Sequence, residues 1–389
     1  MDKQIHQLVQ TIHNTPGRVM IVSAGAGIQA IAWLLGVAGA SRTLLEAVIP
    51  YDESSFDSFL DRKPEQYVAI QTAGYLAGRA VMRANRLWRG SEPVIGLACT
   101  ATIITDRPKL GDHRAHIVAW SRSNISHYSL HLNKGARDRH GEEDLVSRLM
   151  LNALAEAYGL DVRVSLPLTE QDKLEVTIEN LAGAVKDLLS GNSDYFALQP
   201  EGDKIETISP KAILSGSFNP LHEGHLALAN VAREILGYEV VFELASNNAE
   251  KPAIDQVSIL QRLLQFAGRY PVIISNAATF LSKSLLFPGT TFVIGHDTAQ
   301  RILEPRFYGH NREQMLAALK QIKNQKCQFL VAGRLGKDGR FHNASELKVP
   351  AGFPRLFEAI PDSRFRLDIS SSDIRAKNSF VKRRVLSTS

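Results

Sequence analysis

From residue 211 onward the 389-residue chain alternates short β-branched runs with helical segments. KAILSGSF is followed by HEGHLALANVAREILG, then by EVVFELA, SILQRLLQFAGR, PVIISNA, TTFVIGHD and CQFLVAGRL. Strands alternating with helices are joined by crossovers of one hand, which restricts this half to a doubly wound, parallel α/β sheet. Ligands of such a sheet sit in the crevice beyond the carboxyl ends of its strands. The stretch SGSFNPLHEGHLAL (215–228) lies at one of those ends.

A strand that ends in Gly216-Ser217 and runs into a helix presents unpaired backbone N–H groups, which together with the helix dipole favour phosphate. Gly224 removes a side chain where a ligand would approach the backbone. His222 and His225 are three residues apart, so on a first helical turn they share a face. Two imidazoles placed there can donate hydrogen bonds to a polyphosphate and stabilise charge that develops during phosphoryl chemistry.

The length suggests two domains, each able to bury its own core. The composition is that of a soluble protein, 44% hydrophobic and 22% charged, with a net charge of +5. An anionic small ligand accounts for so mild a basic excess without nucleic acid. The basic run Lys382-Arg383-Arg384 reads as a solvated end. Cys99 and Cys327 are the two cysteines, too few for a disulfide framework or a zinc site. The polar start MDKQIHQLVQTIHN lacks the apolar core of a signal peptide, and IQAIAWLLGVAGA is too short to span a bilayer. A cytoplasmic protein with no membrane contact is expected.

The first half also reads as α/β. A helix over 2–14 ends at Pro16-Gly17. RVMIVSA (18–24), LLEAVIPY (44–51) and PVIGLACTATI (93–103) read as strands, the first running into a helix opened by Gly25 and Gly27. Residues 64–89 form a long helix with small residues on one face. HRAHIVAW and ISHYSLHL make a hairpin, and 142–160 an amphipathic helix. Helical periodicity returns at 178–189. The turn-rich remainder places a linker region at 166–209, between domains at 1–165 and 210–389.

The motif Gly216, Phe218, Pro220, His222, Gly224, His225 resembles the G-x-F-x-P-x-H-x-G-H signature of the nucleotidyltransferase superfamily. ISSSDIR (369–375) is similar to that family's ISSTxxR, with Ser372 in place of threonine, and Gly295 with Asp297 in FVIGHDT resembles its G-x-D. The resemblance implies a Rossmann-like domain that transfers a nucleotidyl group from ATP, taken with Mg²⁺, to a phosphorylated small molecule. It gives His222, His225 and Arg375 the catalytic roles. It places Gly216, Ser217, Phe218, Gly224, Gly295, Asp297, Ser370, Ser371 and Ser372 around the nucleotide. ELASNNAEKP (243–252) resembles the loop of nicotinamide- and nicotinate-mononucleotide adenylyltransferases that carries a phosphate-facing lysine, here Lys251, which favours a pyridine mononucleotide as acceptor. Another acceptor, CTP as donor, or a nucleotide-binding regulator without turnover are the alternatives.

Residues 5–160 resemble the C-terminal domain of the competence-damage protein CinA, a nicotinamide-mononucleotide deamidase fold. VSAGAG (22–27) falls on that family's ESCTGG, so Ser23 and Gly27 match its serine and last glycine. VIPY falls on V-x-Y-S at Tyr51, GLACTAT on GITGIAG at Thr100, and Lys134–Arg137 on the closing G-D-R. Val22 replaces the glutamate, Gly25 the threonine and Asp52 the serine after Tyr51, while Lys63 is the nearby candidate for an expected lysine. The resemblance implies a CinA-like α/β domain with a nucleotide pocket at Ser23, Gly27, Tyr51 and Thr100. The departures imply a degenerate amidase, and self-association of such domains makes a homo-oligomer an expectation.

Overall fold

The computed structural model describes residues 1–106, 110–247, 254–335 and 340–366. They fall into two units. The first comprises Met1–Lys186 with Leu198–Lys204 and Leu263–Tyr270, the second the remainder.

The first unit is built from α1 (Lys3–Asn14), β1 (Arg18–Ala24), α2 (Ile28–Gly36), β2 (Leu44–Val48), α3 (Glu53–Leu60), α4 (Ile70–Leu87), β3 (Val94–Thr102), β4 (His113–Trp120), β5 (Asn124–Leu132), α5 (Arg139–Ala157) and β6 (Lys173–Asn180), after which the chain enters α6 (Leu181–Leu189). Its sheet has the order β2-β1-β3-β4-β5-β6. β1 pairs in parallel with β2 and β3, whereas β3 to β6 run antiparallel. Ile21, Leu97, Ile117 and Leu130 form one core with Leu8 of α1 and Leu149 of α5. Local chemistry sets the helix starts. Asp2, Asp52 and Asp138 each accept a backbone N–H at their helix's first turn. The cap Asp52, ahead of ESSFDSFL, is the sequence signal for α3, which lies between the strand at 44–51 and the long helix expected over 64–89.

Residues 166–209, read above as a linker region, carry β6, α6 and two further short strands. The alternation of Leu174, Val176 and Ile178 marks β6, but the helical periodicity beginning at 178 overlaps it. Val176 and Ile178 remain about half exposed on this edge strand. Asp172 anchors the approach to β6 by accepting from the Asn133 N–H at 2.7 Å and from Arg137 Nη1 at 3.1 Å.

The second unit's sheet uses β7 (Tyr195–Leu198), β8 (Lys204–Ile205), β9 (Ala212–Gly216), β10 (Val240–Ala245), β11 (Val272–Ser275), β12 (Thr291–Gly295), β13 (Gln328–Ala332) and, beyond the hairpin β14 (Arg334–Leu335) and β15 (Phe341–His342), β16 (Phe357–Ala359). Its connecting helices are α7 (Glu223–Leu236), α8 (Gln256–Leu263), α9 (Phe280–Leu286), α10 (His296–Ile302) and α11 (Arg312–Asn324). The sheet order is β16-β13-β12-β9-β10-β11-β7-β8, with every neighbouring pair from β16 to β11 parallel. The chain winds from β9 toward β11 on one side and from β12 toward β16 on the other. The switch point is therefore between β9 and β12, the place where ligands of such sheets bind. Ile213, Phe292, Ile294, Phe329 and Leu319 form the core beneath it.

No helix among the described residues is long and apolar enough to cross a membrane.

Candidate active site

β9 delivers Gly216 and Ser217 to the switch point. A Cβ on Gly216 would lie 2.7 Å from the Phe218 ring, so the ring's position requires glycine there. Phe218 has φ 41°, and its side chain is fully buried. The ring meets Phe242 edge-on at 5.5 Å and His225 edge-on at 5.0 Å. Phe218 thus supports His225 from the protein side. Gly224 is buried in the first turn of α7.

His222 is the N-cap of α7 and His225 its third residue. The His222 backbone N–H donates to His225 Nδ1 at 3.3 Å. With Nδ1 accepting, the neutral ring carries its hydrogen on Nε2, which leaves Nε2–H as the donor for a ligand. The two rings stack with centroids 3.8 Å apart, closer than a shared helical face alone demands. Burial, then the neighbouring His222, pushes His225 down to about 4. Burial also lowers His222. Both are therefore neutral hydrogen-bond donors at neutral pH.

Across the switch point, Gly295 ends β12 with nothing within 4 Å of where its Cβ would be. Asp297 lies in the first turn of α10, half exposed and bridged to Arg334 at 2.5 Å. Gly216, Ser217, His222, His225, Gly295 and Asp297 thus lie at the carboxyl ends of the adjacent strands β9 and β12 or at the starts of the helices that follow them. Lys251, Ser370, Ser371, Ser372 and Arg375 lie outside the described residues.

The buried ion pair Lys283–Glu243, at 2.5 Å, lies beside Ser215. Sequence reasoning missed it, because Glu243 within EVVFELA reads as the polar face of a strand.

In the first unit a cavity of about 330 Å³ is lined by Ala24, Gly25, Tyr51, Tyr67, Thr100 and Arg139, among others. It brings Tyr51 and Thr100 together, while Ser23 and Gly27 are not among its described lining residues. Ser23 is fully buried, and its hydroxyl donates to the Ala26 carbonyl at 2.5 Å. It caps no helix: α2 begins after Gly27, whose N–H and that of Gln29 donate to the Glu143 carboxylate at 3.0 Å. The helix end that the glycine turn offers to an anion is occupied by the protein's own carboxylate. Thr100 donates to the Tyr67 carbonyl at 2.6 Å.

A buried histidine in this unit gives a pH dependence. His116 is 7% exposed and burial lowers it to about 4. Above pH 6.5 both folded and unfolded forms are neutral. Below it the unfolded chain takes up a proton that the folded protein refuses until about pH 4, so stability falls as pH falls across that window. The loss approaches about 3 kcal/mol at the lower limit. Thermal melts from pH 7 to 4.5 should show the decline, and His116→Gln should make it shallower by this residue's share, since burial lowers His13, His127 and His225 as well. A slope unchanged by the substitution would assign the acid sensitivity elsewhere.

Residues 213–377 match the family model described as Cytidylyltransferase-like. The probable nicotinate-nucleotide adenylyltransferase of Chlorobium phaeobacteroides (strain BS1) is 25% identical over 191 residues, 43% of this chain and 85% of that protein. Among solved structures, competence/damage-inducible protein CihA from Agrobacterium tumefaciens is 18% identical with a TM-score of 0.34, covering 41% of this chain and 98% of that one. A competence-damaged protein (CinA) superfamily protein from Escherichia coli is 15% identical with a TM-score of 0.31, over 40% of this chain and 90% of that one. Residues 213–377, which carry the paired histidines at the switch point, are a cytidylyltransferase-like domain of the nucleotidyltransferase type.

Proposed function

We propose that this enzyme transfers the adenylyl group of ATP to the phosphate of a pyridine mononucleotide, nicotinate or nicotinamide mononucleotide, with release of pyrophosphate. The observation that carries the reading is the His222–His225 stack at the head of α7, beside the β9–β12 switch point. The likeness to a probable nicotinate-nucleotide adenylyltransferase favours the pyridine acceptor.

In this reading the acceptor's phosphate oxygen attacks the α-phosphorus in line. The new P–O bond forms as the bond to the pyrophosphate oxygen breaks, with no covalent enzyme intermediate. The Nε2–H of His225, with the His222 ring stacked on it, holds the phosphate oxygens. Asp297 helps place the nucleotide, and Lys251, Ser370, Ser371, Ser372 and Arg375 hold the triphosphate. Mg²⁺ bound with ATP supplies charge neutralisation on the phosphate oxygens. The described donors suit a cation that arrives on its substrate. The motif offers imidazoles rather than hard oxygen ligands, and no cluster of three or more His, Cys, Asp or Glu that could hold a metal occurs among the described residues.

The deciding experiment is pyrophosphate release by the full chain with Mg²⁺. ATP and CTP serve as donors, and nicotinate mononucleotide, nicotinamide mononucleotide, phosphopantetheine and phosphocholine as acceptors. Turnover is expected with ATP and a pyridine mononucleotide. Turnover with another pair would replace the substrate and keep the reaction class. A folded protein that binds ATP without releasing pyrophosphate under any pairing would favour a regulatory, nucleotide-binding role.

For the first unit we propose ligand binding without amide hydrolysis. The observation favouring it is Ser23, whose hydroxyl is buried and engaged with a carbonyl instead of facing the cavity.

A further inference from the structure

Beneath the phosphate-side loop lies a polar network that the proposed chemistry does not use. Glu243 on β10 is fully buried, and its ion-pair partner Lys283, from α9, is 4% exposed. Glu243 accepts from Ser275 Oγ at 2.5 Å and from Ser215 Oγ. Lys283 Nζ also donates to Ser215 Oγ at 3.3 Å. Ser215 and Glu243 are register partners on β9 and β10, and Ser275 ends β11. The network therefore ties together the carboxyl ends of three adjacent strands.

Burying an ammonium and a carboxylate costs several kcal/mol, and a well-packed apolar pair of similar volume is often as stable or more so. Stability alone does not call for these charges here. Their geometry suggests another use. Ser215 is gripped from both sides, and the next residues are Gly216, Ser217 and the left-handed Phe218 that supports His225. A reacting constellation has to be held to within about 0.5 Å by groups that are themselves locked.

We propose that Lys283 and Glu243 are positioning residues that act through Ser215, fixing the end of β9 so that the Gly216–His225 loop meets the nucleotide phosphates in the reactive geometry. The inference rests on the nucleotidyl-transfer reading above.

The test compares wild type, Lys283→Met, the charge-free pair Glu243→Gln with Lys283→Met, and Ser215→Ala. Each is measured for its thermal midpoint, for kcat and KM of pyrophosphate release with the best donor and acceptor, and for amide hydrogen exchange over Gly216–His225. A lone buried charge should make Lys283→Met the least stable. The paired variant should recover much of the wild-type midpoint. Its kcat should nevertheless stay roughly 10- to 100-fold low, with KM changed far less, as misplacement of a reacting group predicts. Ser215→Ala removes only the linking hydroxyl and should lower kcat in the same direction with the fold intact.

Recovery of kcat along with stability in the paired variant would overturn the proposal, since the charges would then serve only each other. So would wild-type kcat in Ser215→Ala. If wild type releases no pyrophosphate with any pair, the functional reading fails separately. The positioning of the loop is then read from amide hydrogen exchange over Gly216–His225, expected to be faster in the paired variant and in Ser215→Ala than in wild type; unchanged exchange in both would refute it.

Discussion

His225→Ala should lower pyrophosphate release by roughly 10²- to 10³-fold, the usual loss when one preorganised donor to developing charge is removed. The size follows from the site. His225 is neutral, its Nδ1 is engaged by the His222 N–H at 3.3 Å, and Nε2–H is left for the phosphate. Its ring also rests on Phe218, so truncation removes some packing, and the thermal midpoint must be recorded beside the rate. Two further substitutions separate these effects. A glutamine amide can place an N–H near the former Nε2 position, whereas an asparagine amide reaches only as far as Nδ1. His225→Gln should therefore keep more activity than His225→Asn at similar stability. Equal activities would mean that Nε2 is not the donor, and a normal rate in His225→Ala would remove His225 from the chemistry.

The legible parts of this molecule share a physical cause. β1, the β4–β5 hairpin and the parallel strands from β9 onward are apolar runs bounded by turn residues, so each announces itself locally. The head of α7 was legible too, because residue type and spacing at His222 and His225 suffice to place two imidazoles on one turn. What stayed hidden depends on partners far away in the chain. Glu143 reaches the start of α2 from α5, across more than a hundred residues, and nothing near Gly27 forecasts it. Lys283 in ATFLSKS looks like a surface lysine until α9 packs it against β10. The capped helix α11 is a different case. Asn311 ahead of REQMLAALKQIKN is a complete local signal, an N-cap followed by apolar residues at helical spacing.

The largest stability effect should come from Gly25→Ala. Gly25 has φ +90°, and a Cβ there would lie 1.9 Å from the Ala101 carbonyl oxygen and 2.9 Å from its carbon. β1 and β3 pair in parallel register up to Ala24 with Thr100, so the obstructing atoms are backbone at the rim of the sheet and cannot rotate away. An alanine must both hold a left-handed conformation and displace a strand end. Together these should cost about 3–5 kcal/mol, the range reserved for strained or overpacked buried sites. At roughly 2–4 °C per kcal/mol for a unit of this size, the first unit's transition should fall by about 10 °C, with faster amide exchange along β1 and β3. Gly36→Ala is the control. It ends α2 with nothing within 4 Å of its Cβ position, and it should be neutral or slightly stabilising. If both variants melt with wild type, the close approach of Ala101 to Gly25 is wrong, and so is the shape of the cavity they line. If Gly25→Ala behaves as expected, the glycine standing where the CinA pattern has threonine is a requirement of the backbone. The cavity wall then has no room for a hydroxyl-bearing side chain at that position. With the Ser23 hydroxyl buried against the Ala26 carbonyl, the turn would then present the cavity with backbone alone, in keeping with the ligand-binding role proposed above for the first unit.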